Sequence, residues 1–98
     1  MHDVKHNLIN RLDQARELVQ NSEPSLCVGT SQQKAIEALD HLRSQVVAEQ
    51  TVDFLKARQL FAPTGLLHEI SFDNDWGHQF IRLARDVEHL LARLKEQA

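Results

Sequence analysis

Residues 76–94, WGHQFIRLARDVEHLLARL, carry the clearest structural signal in this chain. Large apolar residues recur there at intervals of four, three, four, three and four: Trp76, Phe80, Leu83, Val87, Leu90 and Leu94. This spacing keeps one side of an α-helix apolar over several turns. Ile81, Ala84 and Leu91 widen the apolar side, as is typical of a helix packed in a bundle. The pattern predicts a helix over about residues 75–97.

Two further helices are predicted upstream. The first spans about residues 3–20, and it ends before Pro24, because proline disfavours helical backbone in the residue that precedes it. The second spans about residues 31–62 and would be a long central helix. No stretch alternates apolar and polar residues as a half-buried β-strand does, so the fold class is predicted to be all-α.

The long central helix has an alternative, which is a break near residue 50. Gln50 and Asp53 fall on its apolar side, and Thr51 or Asp53 can cap a new helix. We favour the continuous helix, because Phe54 and Phe61 return to the apolar side at 100° per residue.

The predicted architecture is a small helical bundle of three to four helices in a single domain, residues 1–98. A short helical turn over residues 65–70 follows the turn signal of Pro63 and Gly65. A chain of this length buries only part of its apolar surface when it folds alone. We therefore expect a homodimer assembled through the central and last helices.

Composition argues against several classes of function. A formal net charge of −3 offers no general attraction to nucleic acid or to anionic membranes. The apolar runs are too short to span a bilayer. The single cysteine, Cys27, excludes an internal disulfide framework and is interpreted as a small buried hydrophobe. These features predict a cytoplasmic protein with no membrane contact and no cofactor.

Six histidines make a phosphotransfer or metal-binding helical domain the alternative function. His2 and His6 are four residues apart, and His41 lies on a predicted helix. However, the two-histidine spacing of zinc helices is missing, and Ser44 stands where a phosphotransfer domain carries lysine. The chain also has no nucleophile elbow and no phosphate-binding glycine loop, so we expect no enzymatic activity.

A DNA-binding repressor is the further alternative. Residues 51–85 leave room for a helix-turn-helix, but the part after the turn has no lysine or arginine before Arg82. The basic residues from Arg82 to Lys95 alternate with Asp86, Glu88 and Glu96, so we interpret this surface as solvated and ion-paired. Binding to nucleic acid is therefore not expected.

The aromatic residues supply the candidate binding site. All four phenylalanines and the only tryptophan lie between residues 54 and 80, and such side chains are enriched at protein interfaces. The residues predicted to contact a partner are Phe61, Leu67, Phe72, Trp76 and Phe80. The residues predicted to form the core or a dimer seam are Leu39, Val46, Leu83, Val87, Leu90 and Leu94.

These observations favour a small regulatory module that binds another protein. Such a module sequesters or modulates its partner, for instance a transcriptional regulator, through an apolar helical face. Antiactivators, adaptors, immunity proteins and specialised chaperones work in this way. The likeness to them is one of size and helical class alone.

Overall fold

The computed structural model describes residues 4–22, 31–48, 51–62 and 65–97. Within these residues the chain forms helices and no strand, which confirms the predicted all-α class. The helices are α1 (Val4–Gln20), α2 (Ser31–Val47), α3 (Phe54–Leu60), α4 (Leu66–Asp73) and α5 (Gly77–Gln97). The first and last helices begin within two residues of their predicted starts, and the number of helices exceeds the predicted three to four.

Helix α1 is the centre of the packing. It lies against α2 and α5 and also touches α4. Its apolar side recurs every three or four residues and is buried along its whole length: Val4, Leu8, Leu12, Ala15 and Val19. Burial of this side against two long helices is the main source of the hydrophobic core.

Two ion pairs show that α2 runs antiparallel to α1. Arg43 Nε donates to Asp13 Oδ1 at 2.7 Å, and Arg16 Nε donates to Asp40 Oδ1 at 2.7 Å. From the first pair to the second, the residue number rises in α1 and falls in α2, so the two helices are antiparallel. The hydrogen bond that Arg16 donates to Asp40, reinforced by the negative charge of that carboxylate, raises the pKa of Arg16 above its ordinary value.

The first turn of α2 closes the carboxyl end of α1. Gln32 Nε2 donates to the carbonyl oxygen of Val19 at 2.8 Å and to that of Ser22 at 2.9 Å. The last carbonyls of a helix have no partner within the helix, so a side-chain donor from elsewhere stabilises this end.

Cys27, which was predicted to be a small buried hydrophobe, lies outside the described residues.

The continuous helix predicted over residues 31–62 is wrong. Helix α2 ends at Val47, residues 51–53 are not helical, and α3 begins at Phe54. Val52 lies off the apolar side of a continuous helix, yet it is only 8 % exposed. Burying this side chain requires the chain to change direction, and that is the physical reason for the break.

A side-chain cap starts α3 at the position given by the alternative prediction. Asp53 has an extended backbone, and its Oδ1 accepts a hydrogen bond from Lys56 N at 3.0 Å. Asp53 N in turn donates to Gln45 Oε1 at 3.4 Å, which ties the start of α3 to α2.

The short turn predicted over residues 65–70 is a longer helix, α4. Ser71 continues the helix and is fully buried, and its Oγ is satisfied because it donates to the carbonyl oxygen of His68 at 2.8 Å. Before α4, a Cβ at Gly65 would lie 2.6 Å from the carbonyl oxygen of Gln59. Glycine is needed there because the two backbone segments approach so closely.

A tight reversal joins α4 to α5. Asp75 has a φ of 64°, and Trp76 N donates to the carbonyl oxygen of Ser71 at 2.9 Å. A left-handed residue followed by this bond across five residues is the Schellman way of ending a helix. The reversal directs Trp76 into the core at the start of α5.

Candidate functional site

Four of the five residues predicted to contact a partner belong to the core of the single chain. Phe61, Leu67, Trp76 and Phe80 are 6 %, 0 %, 6 % and 2 % exposed. Side chains buried this deeply offer little surface to a second protein in this fold, so their role as partner contacts stays a prediction. Phe72, the fifth, is 54 % exposed.

The predicted core or dimer seam also lies inside one chain. Leu90 is half-buried and packs against the core, and the other five members are buried: Leu39, Val46, Leu83, Val87 and Leu94. Their burial supports the core part of the prediction, while a dimer seam through them stays a prediction.

Three large apolar side chains remain exposed along one side of α5, and we call them the apolar row. They are Phe72, Ile81 and Leu55, with exposed fractions of 54 %, 46 % and 68 %. Ile81 belongs to α5, and the other two flank it from α4 and α3. Scattered exposed hydrophobic residues are ordinary, but a line of them beside one helix is typical of a contact surface.

Phe72 occupies the end of the apolar row that lies over the first turn of α5. A Cβ placed on Gly77 would lie 3.0 Å from the ring of Phe72, so glycine at this position leaves space for the ring. The ring of His68 lies on another side, with 4.5 Å between centroids. Gly77 and Ile81 are one turn apart on the same side of α5, which places Ile81 next along the row.

A groove between α3 and α5 forms the other end of the apolar row, towards the last turns of α5. One part, of about 310 Å³, is lined by Phe61, Ala62 and Ala84, among other residues. The other, of about 620 Å³, is lined by Leu55 and Ala92, among others. Arg58 and Glu88 line both parts, and their ion pair of 3.6 Å crosses the groove. Both partners of the pair are mostly exposed, so it opens at little cost.

A second set of side chains, the arginine row, lies beside the apolar row on α5. It consists of Arg82, Arg85 and Arg93, all of them exposed. With His89 they are spaced three, four and four residues apart, so they lie on one side of the helix, facing solvent. In the described part of the chain, no carboxylate lies within 4 Å of these three guanidinium groups.

The sequence interpretation of this surface as ion-paired is corrected by the partners of the α5 carboxylates. Asp86 pairs with Arg11 of α1 at 3.3 Å, and Glu88 pairs with Arg58 of α3 at 3.6 Å. The acidic residues between the arginines are thus engaged by other helices. Among the residues that the structure describes, the arginine row therefore has no carboxylate within ion-pairing distance.

A shallow hollow adjoins the arginine row where α5 meets α1. Its volume is about 410 Å³, and its lining is Asn7, Arg11, Arg85, Asp86, His89 and Leu90. Amide, guanidinium and imidazole donors surround a single carboxylate here. Such a donor set suits a carboxylate or another small anionic group.

The histidines that the structure describes do not gather into a second chemical site. His41 is exposed on α2, and Ser44 is exposed one turn later. Among the described residues, no group of three or more histidine, cysteine, aspartate or glutamate side chains could hold a metal ion. His2 and Cys27 lie outside those residues.

Helix α4 would be the recognition helix of the helix-turn-helix considered above. It carries Glu69 and Asp73 and no lysine or arginine, so it offers no cation to a phosphate backbone. In the part of the chain that the structure describes, no helix combines the length and the apolar character needed to cross a bilayer.

Sequence reasoning missed Ile81, Leu55 and the arginine row as parts of a surface. A usable signal was present for Ile81, because Arg82 adjoins it and Arg85 lies one turn further on, which places it at a polar edge of the helix.

Comparison of the chain with protein-family models, curated proteins and solved structures gave no significant match.

Proposed function

We propose that this chain is a small cytoplasmic protein-binding module, which regulates its partner by holding an apolar segment of that partner against the apolar row. The observation that carries the proposal is the alignment of Phe72, Ile81 and Leu55 along α5. These three side chains keep 54 %, 46 % and 68 % of their surface in contact with solvent.

The shape of the surface supports a helical segment as the bound element. From Gly77, beneath Phe72, to Ala92, beside Leu55, the row extends about 22 Å along α5. An amphipathic helix of about four turns has this length and buries its apolar face in such a groove. The segment would pack over the Arg58–Glu88 pair, which crosses the groove and stays closed beneath it.

The proposal predicts that substitutions in the apolar row abolish partner binding and leave the fold intact. The triple variant Leu55→Ser, Phe72→Ser, Ile81→Ser should retain its helical circular dichroism and cooperative melting, because exposed residues contribute little to stability. The matched control is Val47→Ser, which replaces an apolar residue of α2 that is 53 % exposed.

The test is affinity capture from the native host, with the captured proteins compared between variants. The proposal expects a partner that the wild type and Val47→Ser retain and the triple variant loses. If the triple variant captures the same proteins as the wild type, the apolar row is not the binding surface and the proposal fails.

The homodimer is a second candidate use of the same surface. With the predicted seam inside the core, the row is where an apolar contact between two copies would form in the described part of the chain. Sedimentation equilibrium of the wild type and the triple variant checks this. A wild-type dimer that the triple variant abolishes would show that a second copy occupies the row.

A further inference from the structure

We infer that the partner segment is an acidic amphipathic helix, with its apolar face on the apolar row and its carboxylates against the arginine row. This inference rests on the proposed function, since it names the chemistry of the segment that the module binds.

The first argument is that no carboxylate of the described residues pairs with the three arginines of the arginine row. Arg11 engages Asp86 at 3.3 Å and Arg58 engages Glu88 at 3.6 Å, so both interior carboxylates of α5 are held by other helices. Of the described carboxylates of α5, the one that remains on this side is Glu96, in the last turn. Three guanidinium groups and one carboxylate give this side a net positive charge, although the chain as a whole has a formal charge of −3.

The second argument is that the two rows run side by side. Ile81 and Arg85 are one helical turn apart and are neighbours on the surface of α5. From Arg82 to Arg93 the arginine row extends about 16 Å, close to the length of the apolar row. A helix that lies along Ile81 therefore presents one of its edges to the arginines over about three turns.

The third argument concerns the hollow beside Arg85. Asn7, Arg11 and His89 share its lining, and the carboxylate of Asp86 is already paired with Arg11. Of the residues that line it, Arg85 lies next to Ile81, one turn further along α5, so a glutamate on the edge of the bound helix would meet this guanidinium group first. A lysine at the same place would meet like charges, so the surface discriminates by repulsion as well as by attraction.

The experiment uses defined probes against the full chain. Three synthetic peptides of about 18 residues, or five helical turns, are compared. The first has leucines on one side and glutamates on the other, the second replaces every glutamate with lysine, and the third scrambles the first. Fluorescence anisotropy at low and at physiological salt gives the affinities, and amide chemical shifts locate the bound peptide.

The acidic peptide should bind at least about tenfold more tightly than the lysine peptide, and salt should reduce the difference. It should shift the amides of Ile81, Arg82 and Arg85. Arg85→Glu should weaken it by about fivefold and the triple reversal of the arginine row by more, while Lys34→Glu, an exposed cation of α2, should not.

Each other outcome overturns the inference in a distinguishable way. Equal affinity for the acidic and lysine peptides, with both lost in the triple serine variant, leaves the apolar row intact and refutes the acidic partner. Failure of every peptide to shift any amide of the apolar row refutes the proposed function as well. Tighter binding of a duplex DNA probe, or a dimer that Arg85→Glu dissociates, would assign the arginines to nucleic acid or to a second copy.

Discussion

The indole Nε1 of Trp76 donates a hydrogen bond to Ser22 Oγ at 2.8 Å, although 54 residues separate the two along the chain. Both residues are buried, and the serine hydroxyl donates onward to the carbonyl oxygen of Leu18 at 2.8 Å. The bond joins the end of α1 to the start of α5. It also gives the indole N–H the partner that a buried tryptophan needs.

Ser22→Ala should lower the free energy of unfolding by about 1–2 kcal/mol, because it leaves the indole N–H buried without an acceptor. Urea unfolding followed by tryptophan fluorescence measures the change. Ser44→Ala, on the exposed surface of α2, is the control and should have almost no effect. Equal losses in the two variants would mean that the Trp76–Ser22 bond contributes nothing.

Gly77→Ala should have different effects on stability in two backgrounds. In the wild type the new methyl meets the Phe72 ring at 3.0 Å and displaces it, so the gain in backbone entropy is cancelled by lost ring packing. With Phe72→Ala already present, the same change should stabilise the protein by about 0.4–1 kcal/mol. A double-mutant cycle in urea measures the coupling, and strictly additive changes would contradict the contact.

Asp75→Gly should stabilise the protein, because Asp75 holds a φ of 64° that glycine adopts without strain. We expect a gain of up to about 1 kcal/mol, and a loss for Asp75→Val, whose branched side chain disfavours this conformation. Thermal melts of the three proteins check the order. If valine is as stable as glycine, the reversal before α5 does not require the left-handed backbone.

Asp53→Ala should cost about 1 kcal/mol, because it removes the side-chain cap from the short helix α3. The control, Asp73→Ala, removes an exposed carboxylate at the end of α4, where helix electrostatics disfavour negative charge, and should be neutral or slightly stabilising. Urea unfolding measures both variants. No loss in Asp53→Ala would indicate that α3 is held by packing alone.

The apolar spacing in the sequence was enough to place α1 and α5 and to identify most of the core. Such spacing reports which side of a helix is apolar, and it does so reliably for long helices. It could not separate core from contact surface at Trp76 and Phe80, because that difference depends on groups distant in sequence. Ser22 bonds Trp76 and the ring of His68 packs on Phe80, and no local pattern contains that information.

The break between α2 and α3 had signals in the sequence that periodicity outweighed. Asp53 was a candidate cap, and Val52 lay off the apolar side of a continuous helix. The structure follows these two residues, because the burial of Val52 and the capping bond of Asp53 act together. The free arginines of α5 could not be foreseen in this way, since the cations that occupy Asp86 and Glu88 come from α1 and α3.

The central position of α1 has a consequence for how the protein is made. This helix is synthesised before the others, yet its buried side is covered by α2 on one flank and by α5 on the other. During synthesis on the ribosome, the leucines and valines of α1 stay partly exposed to water until α5 has emerged. The nascent chain is therefore most exposed to chaperones and proteases until the last helix leaves the exit tunnel.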